Sequence, residues 1–327
     1  MIRLSGWLQP SMVDETMRAV RFERYGGLDE LHVAEVARRR AAPGRVVVEV
    51  VAASINPGEA SVREGRLQER WPAHFPEGEG SDFAGVVTEV GDGVISVAVG
   101  AEVIGWSEER ASHAEAVSVP AGQLVPKPAG VSFEVAGSLY VAGVTAWATV
   151  RSVGLKPGHT AAVSAAAGGV GSIAVQLARR AGATVIGIAG PASADWLASI
   201  GVTPVAYGEG LAERLRAVAP QGINAFIDCF GGGYIDLAVD LGVPTDRIDT
   251  IIDWSAAQRT GAKIEGLATV EDPAAVLSEL AALIAAGELV VPIARTYPLE
   301  QVQEAYAELE QRHTRGKIVL LPARRSS

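Results

Sequence analysis

A chain of 327 residues, 48% hydrophobic and 20% charged, has the composition of an ordinary globular protein, and at roughly 150 residues per domain it has room for two. A formal net charge of −10 argues against a nucleic-acid partner read through a basic face, so Arg38-Arg39-Arg40 reads as a solvated loop. The one cysteine, Cys229, excludes an internal disulfide and fits a cytoplasmic chain; no run is long and apolar enough to span a membrane, and the first residues lack the long apolar region of a signal peptide.

Residues 1–16 precede any strand pattern and are expected to form a disordered extension. Short strands are expected over 18–22, 45–53, 82–90, 102–106 and 114–119, separated by turn clusters such as Ala42-Pro43-Gly44 and Gly91-Asp92-Gly93. Many short strands joined by Gly/Pro turns suggest a barrel or sandwich. Pro126 and Pro128 mark a boundary. Ser132 is then placed as the N-cap of a helix over 133–141, with a second helix over 145–153. From Thr160 the pattern alternates strand and helix: 160–164, 170–181, 184–189, 193–200, 203–206, 209–219, 223–229, 233–241 and 247–252. That alternation predicts a parallel sheet wound with helices. A helix over 273–287, the stretch 289–297, a helix over 299–310 and a strand over 317–321 close the chain.

The most informative stretch is 160–190. An apolar strand runs into the turn Ala166-Ala167-Gly168-Gly169-Val170-Gly171. A helix follows whose apolar residues Val170, Ile173, Ala174, Leu177 and Ala178 recur at helical spacing, and Gly182 is placed just past its end. The turn fits the dinucleotide fingerprint G-x-G-x-x-G with Ala166 in the first position. Ala166 meets the need for a small residue in a tight turn. Gly168 lets the backbone approach a pyrophosphate, and Gly171 lets the helix pack closely on the strand. The helix N-terminus, at Gly169 and Val170, then offers unpaired N–H groups to phosphates. The alternative is a Gly-rich turn that merely packs; the strand–turn–helix context favours the cofactor site.

Five motifs occur in order: Ser54-Ile55-Asn56-Pro57 followed by Arg63-Glu64-Gly65; Gly80-Ser81-Asp82-Phe83-Ala84-Gly85-Val86-Val87; Ala142-Gly143-Val144-Thr145-Ala146-Trp147; Ala165 to Gly171; and Gly316-Lys317-Ile318-Val319-Leu320. In this order the chain resembles the medium-chain dehydrogenase/reductase superfamily and, within it, the zinc-independent quinone oxidoreductase (zeta-crystallin-like) branch. The resemblance implies an α/β protein. A GroES-like β-rich catalytic domain would occupy 17–136 and 290–327, and a Rossmann doubly wound parallel-sheet domain 137–289. It further implies hydride transfer from NADPH to a small-molecule substrate, a quinone or an enone C=C bond, in the cleft between the domains. A homodimer is the superfamily habit.

Zinc can be tested on the residues themselves. Cys229 lies in a predicted strand, and His32, His74, His113, His159 and His313 are scattered without ligand spacing. Asn56 and Gly80-Ser81-Asp82 stand where the zinc enzymes carry ligands, so no metal is expected. Hydrogen-bond donors must then polarise the substrate oxygen. Asn56 is the first candidate, either donating to that oxygen or holding the nicotinamide carboxamide; the alternative is an Asn-Pro turn residue. Glu59 and Arg63 are placed on the same loop. Tyr140 could give the proton, or serve as a core tyrosine with solvent as the donor. Thr145 either faces the nicotinamide or bonds back to its own helix. Asp228 and Gly231, at a strand end, either meet the cofactor ribose or form a simple turn. Lys317 is expected beside the cofactor.

At the end of the second strand stands Ala189-Gly190-Pro191, with no acid to bind ribose hydroxyls, which favours NADPH over NADH. No lysine follows. Gly190, Ser193 and Tyr207 are therefore expected around the 2′-phosphate, with Arg179 or Arg180 as charged alternatives. A different class of function, a nucleotide-binding structural or sensor protein with little turnover, remains the competing reading.

Overall fold

The computed structural model describes residues 16–322. The expected extension over 1–15 lies outside them, and Thr16 already belongs to the first strand.

The N-terminal lobe is built on β3, Arg45–Ser54, a run of valines and alanines buried on both faces. It pairs antiparallel with β5, Asp82–Val90, along one side. On the other side its first half pairs with β7, Ala116–Pro120, and its last two residues with β15, Lys317–Leu321. The strands β6, Glu102–Trp106, and β8, Leu124–Pro126, extend this sheet beyond β5, and β14, Ile293–Pro298, lies parallel to β15. A smaller sheet pairs β1, Thr16–Phe22, with β2, His32–Ala37, and β4, Glu77–Gly78. The chain's last strand thus completes its first lobe.

Between them lies a five-stranded parallel sheet in the order β11-β10-β9-β12-β13. Its strands are β9, Thr160–Val163; β10, Thr184–Ala189; β11, Thr203–Ala206; β12, Ala225–Asp228; and β13, Ile248–Thr250. The first of these in sequence, β9, is central. The chain winds outward to β11, then crosses back to β12, leaving a crevice beyond the carboxyl ends of β9 and β12. Helix α4, Gly169–Arg180, opens at that crevice, and α3, Tyr140–Ser152, packs beside it. The largest apolar cluster joins Ile104 and Trp106 of the first lobe to Leu139, Val163 and Ile173 of the second.

The strands expected over 82–90, 102–106, 184–189, 203–206 and 317–321 stand at those residues. The helix expected over 133–141 is instead two pieces. Helix α2, Phe133–Ala136, is capped by Ser132, whose Oγ accepts from Val135 N at 3.3 Å, and then breaks at Gly137. A Cβ on Gly137 would sit 2.4 Å from the carbonyl of Ala52, so α2 lies directly on β3. The stretch read as a loop after Asn56 is helix α1, Pro57–Arg63. Seven residues with a glycine in the second position show too little periodicity to be seen, but Pro57 at the first position and Glu59 closing a capping box on Asn56 are its start signals. The strand β2, on the edge of its sheet and largely exposed, also escaped the sequence pattern.

The turn before α4 shows why Gly171 is glycine. A Cβ there would lie 2.1 Å from the carbonyl oxygen of Ala165, and Ala165 itself takes a φ of +45°. Gly171→Ala is expected to lower stability by about 1–3 kcal/mol through overpacking. Urea denaturation of the variant measures it, and a midpoint equal to wild type would show that the helix does not need this close approach.

Candidate active site

The crevice is bounded on one side by the start of α4. Gly168 is its N-cap, with no side chain capping the first turn, so the leading N–H groups face outward beyond β9. Ala166 is fully buried and its N–H donates to Ile188 O at 3.0 Å, which fixes the turn to the neighbouring strand. On the far wall, Gly231, Gly232 and Gly233 follow β12 with φ of +81°, +68° and +92°, values that only glycine adopts without strain.

Opposite α4 lies a buried polar network. Lys317 Nζ donates to Asn56 Oδ1 at 2.6 Å and to Ile55 O at 3.2 Å, and stands 3.7 Å from Asp82 Oδ2. Asn56 Nδ2 donates to Asp82 Oδ2 at 2.9 Å and to Glu59 Oε1 at 3.2 Å. Asp82 also accepts from Ser54 Oγ at 2.6 Å and, at Oδ1, from Val141 N at 2.6 Å in the first turn of α3. Glu59 accepts from Asn56 N and Tyr306 Oη at 2.8 Å each, and from Ser81 N at 2.9 Å. The stem of Lys317 lies against the glycine turn before α4, its Cδ 3.0 Å from where a Cβ on Gly169 would be, and Gly316 N donates to Ala167 O at 2.8 Å. One residue therefore touches both walls.

Behind Glu59 the network continues inward. Arg63, fully buried, donates to Glu79 Oε1 at 2.9 Å and stacks 4.8 Å from the ring centroid of Tyr306. His113 Nε2 donates to Ser54 O at 3.1 Å. Burial lowers the His113 pKa and also lowers that of Lys317, against the opposing pull of Asp82 and Glu59. Burial pushes Glu79 up to about 8, overcoming the attraction of Arg63, with Glu59 adding repulsion.

These contacts correct several sequence expectations. Asn56 spends both amide hydrogens and its oxygen inside the network, so it positions the loop and has no free donor for a substrate oxygen. Glu59 and Arg63 are buried helix residues bonded inward rather than loop residues in the cleft. Asp228 is fully buried and accepts from Ser164 Oγ at 2.6 Å, Thr250 Oγ1 at 2.9 Å, and the N–H groups of Phe230 and Gly231 at 3.0 Å. It ties β9, β12 and β13 together and has no lone pair aimed at a ribose. Gly231 is held in the same knot. Arg179 donates to Ile200 O at 2.5 Å and Arg180 pairs with Glu288. Both sit at the end of α4 away from the crevice, about 15–18 Å from its start, and reach no cofactor phosphate.

The remaining candidates stand as follows. Gly190 and Tyr207 are neighbours: a Cβ on Gly190 would be 3.5 Å from the Tyr207 ring, which is 49% exposed. Arg214 donates to the carbonyls of Ala206, Tyr207, Gly208 and Glu209 and so fixes that loop. Ser193 caps nothing with its hydroxyl. In α3 it is Thr149 that bonds back to the helix, at Ala146 O; Thr145 makes no such bond. Tyr140 stacks flat on Trp106 with centroids 4.6 Å apart, and burial raises its pKa well above the ordinary tyrosine value, which makes it a weaker proton donor.

Sequence reasoning missed Glu79, His113 and Tyr306, and assigned Asp82 no role of its own. No short spacing links them; Asp82 was visible only as one letter of a motif. It also missed two cation–π contacts that cross between the lobes. Arg312 lies 4.5 Å from the Phe230 ring, and Arg70 lies 4.5 Å from Trp71 and 5.6 Å from Trp254.

Comparison with known proteins agrees with this architecture. Residues 42–129 match the family described as alcohol dehydrogenase GroES-like domain, and residues 200–320 the family described as zinc-binding dehydrogenase. Quinone oxidoreductase 1 of Escherichia coli is 28% identical over 93% of this chain and 99% of its own. The quinone oxidoreductase structure from Coxiella burnetii superposes with a TM-score of 0.83 at 27% identity, covering 94% of this chain and 100% of that one. The structure of the E. coli quinone oxidoreductase complexed with NADPH gives 0.83 at 26% identity, covering 93% and 100%. The chain belongs to the medium-chain dehydrogenase/reductase superfamily, in its quinone oxidoreductase-like branch. Its two lobes are accordingly the GroES-like and Rossmann folds that the sequence motifs implied.

The buried Glu79 sets a pH dependence. Its carboxyl holds a proton in the fold up to about pH 8 but loses it near 4.5 when unfolded. Between those limits the folded state binds the extra proton, so stability falls as pH rises from about 4.5 to about 8, by at most about 1.4 kcal/mol per pH unit from this group. Glu79→Gln is expected to flatten that decline in urea midpoints measured from pH 5 to 8. Parallel wild-type and variant curves would mean that Glu79 is already ionised in the fold.

Proposed function

We propose that the protein is an NADPH-dependent oxidoreductase that delivers hydride to a quinone or to the C=C bond of an enone, without zinc. The observation that carries this reading is the uncapped start of α4 at the switch point of the parallel sheet, facing the lobe that holds Lys317 and Asn56. The residues fit such a cofactor. The N–H groups around Gly168, Gly169, Val170 and Gly171 would take the pyrophosphate, and Gly190, Ser193 and Tyr207 would border the adenosine ribose with no carboxylate to repel a 2′-phosphate. When bound, the dihydronicotinamide supplies the hydride.

The chain's own residues then position and exclude. Lys317 and Asn56 fix the loop that faces the crevice, and the Thr145 hydroxyl would hold the nicotinamide amide. Tyr140 and Trp106 give the floor a flat apolar surface suited to a planar acceptor. With Asn56 committed and Tyr140 a weak acid, the proton comes from solvent.

Zinc independence rests on the donor set. Among the described residues no group of three or more His, Cys, Asp or Glu side chains is arranged to hold a metal ion. The side chains of Asn56 and Asp82, at two of the positions expected for ligands, are instead bonded inward. The similarity to quinone oxidoreductases over nearly the whole chain supports turnover over a purely structural or sensor role. No helix among the described residues is long and apolar enough to cross a membrane. The domain division at 137 and 290, a homodimer and a cytoplasmic site complete the proposal.

The test is NADPH oxidation with a panel of quinones and enones, in the presence of chelator. Turnover is expected with at least one acceptor, and Gly168→Val is expected to weaken NADPH binding at least tenfold, about 1.4 kcal/mol. The added Cβ would lie 3.2 Å from Ala165 O and 3.9 Å from Ala165 Cβ, a tight contact, so the fold of the variant is verified by circular dichroism before binding is measured. NADPH binding without turnover would favour the sensor reading; unchanged affinity in the variant would remove the phosphate turn from the site.

Cofactor choice is tested separately. Neutral donors are worth about 0.5–1.5 kcal/mol each, so Ser193 and Tyr207 together should favour NADPH over NADH by roughly tenfold to a hundredfold in kcat/KM. Tyr207→Phe should lower that ratio. A wild-type ratio at or below one would reject NADPH selectivity.

A further inference from the structure

The run Arg38-Arg39-Arg40 is more than a solvated loop. It forms one wall of a cavity of about 410 Å3 on the N-terminal lobe. Arg21, near the end of β1, and Arg45, the first residue of β3, complete a ring of five guanidinium groups. Met17, Ala114 and Ala116, packed together beneath the sheet, give it an apolar floor. The cavity is separate from the crevice. Arg45 and Ser54 are at opposite ends of β3, about 30 Å apart at strand rise, and only Ser54 belongs to the network beside Lys317.

The charge is only partly answered. Arg40 pairs with Glu89 and Arg45 with Glu109, each at 2.7 Å. Arg21 donates to the carbonyl of Val20 at 3.1 Å, and neither it nor Arg38 or Arg39 makes an ion pair among the described residues. Burial lowers the Arg21 pKa and Arg39 lowers it further, with Glu77 and Glu23 pulling the other way less strongly. In a chain of net charge −10, three guanidinium groups gathered over an apolar floor with no ion pair among the described residues are a binding surface rather than a solubility device. Guanidinium forks bind phosphate oxygens bidentately, and the volume lies within the ordinary range of small-molecule sites.

We propose that this cavity binds a small phosphate polyanion, with its phosphate groups on Arg21, Arg38 and Arg39 and any apolar part on the Met17 floor. Its chemistry is shared by a nucleoside polyphosphate and a free inorganic polyphosphate, and the two are separated by the probes. Isothermal titration of the full chain, saturated with NADPH, is made with ATP and with inorganic tripolyphosphate. One site per chain is expected. Tighter binding of ATP assigns the floor to the nucleoside, and equal binding assigns recognition to the phosphate chain alone. Arg38→Ala/Arg39→Ala is expected to weaken either ligand at least tenfold, and Arg21→Gln, on a different strand, to reproduce the loss. NADPH binding should be untouched in both, which keeps this site distinct from the cofactor reading. Absence of binding, or binding that both variants retain, overturns the proposal.

Discussion

Lys317 is the residue on which the two walls of the crevice depend. Its ammonium sits out of water among Asn56, Ile55 and Asp82, and its stem lies along the glycine turn that starts α4. A buried cation is costly to desolvate, and it is tolerated only when its partners are close and their remaining lone pairs are filled. Here they are filled: Asp82 and Glu59 each accept several bonds from different elements of the fold. Removing one partner would leave a charge unmatched in a dry interior. The network therefore specifies one register between β3, α1, α3 and β15, and through Gly316 and Ala167 it also sets where the phosphate turn stands.

This places the polar residues of the first lobe in an unexpected position. Asn56, Glu59 and Arg63 are chemically suited to catalysis, yet each is bonded to the protein rather than exposed to a substrate. The cation–π contacts of Arg312 with Phe230 and of Arg70 with Trp254 add bridges between the lobes that a change in lobe separation would have to break.

The parallel sheet was legible because its strands are apolar runs and its helices carry a 3.6-residue stripe, both local signals. The strand–turn–helix unit was legible for the same reason, with strand, glycines and helix contiguous from Thr160 to Arg180. The network was not. Its members come from residues 54–63, 79–82, 113, 306 and 317, and only the antiparallel return of β15 onto β3 brings them together. Asp228 shows the same limit. A carboxylate at the end of a parallel strand reads as a ribose ligand, but the hydroxyls of Ser164 and Thr250, on the two flanking segments, turn it inward. Sequence position gave the right edge of the sheet and could not give the direction of the side chain.

The closing of the first lobe by β15 also orders events during synthesis. Asp82, Asn56 and Glu59 emerge from the ribosome more than two hundred residues before Lys317. Until then the last residues of β3 lack a neighbour, and buried carboxylates lack their cation. The Rossmann strands, all contained in 160–250, need no later residue to pair with one another. The middle of the chain can thus assemble first, and the lobe that begins the sequence is finished only once β15 has emerged and can seat against β3.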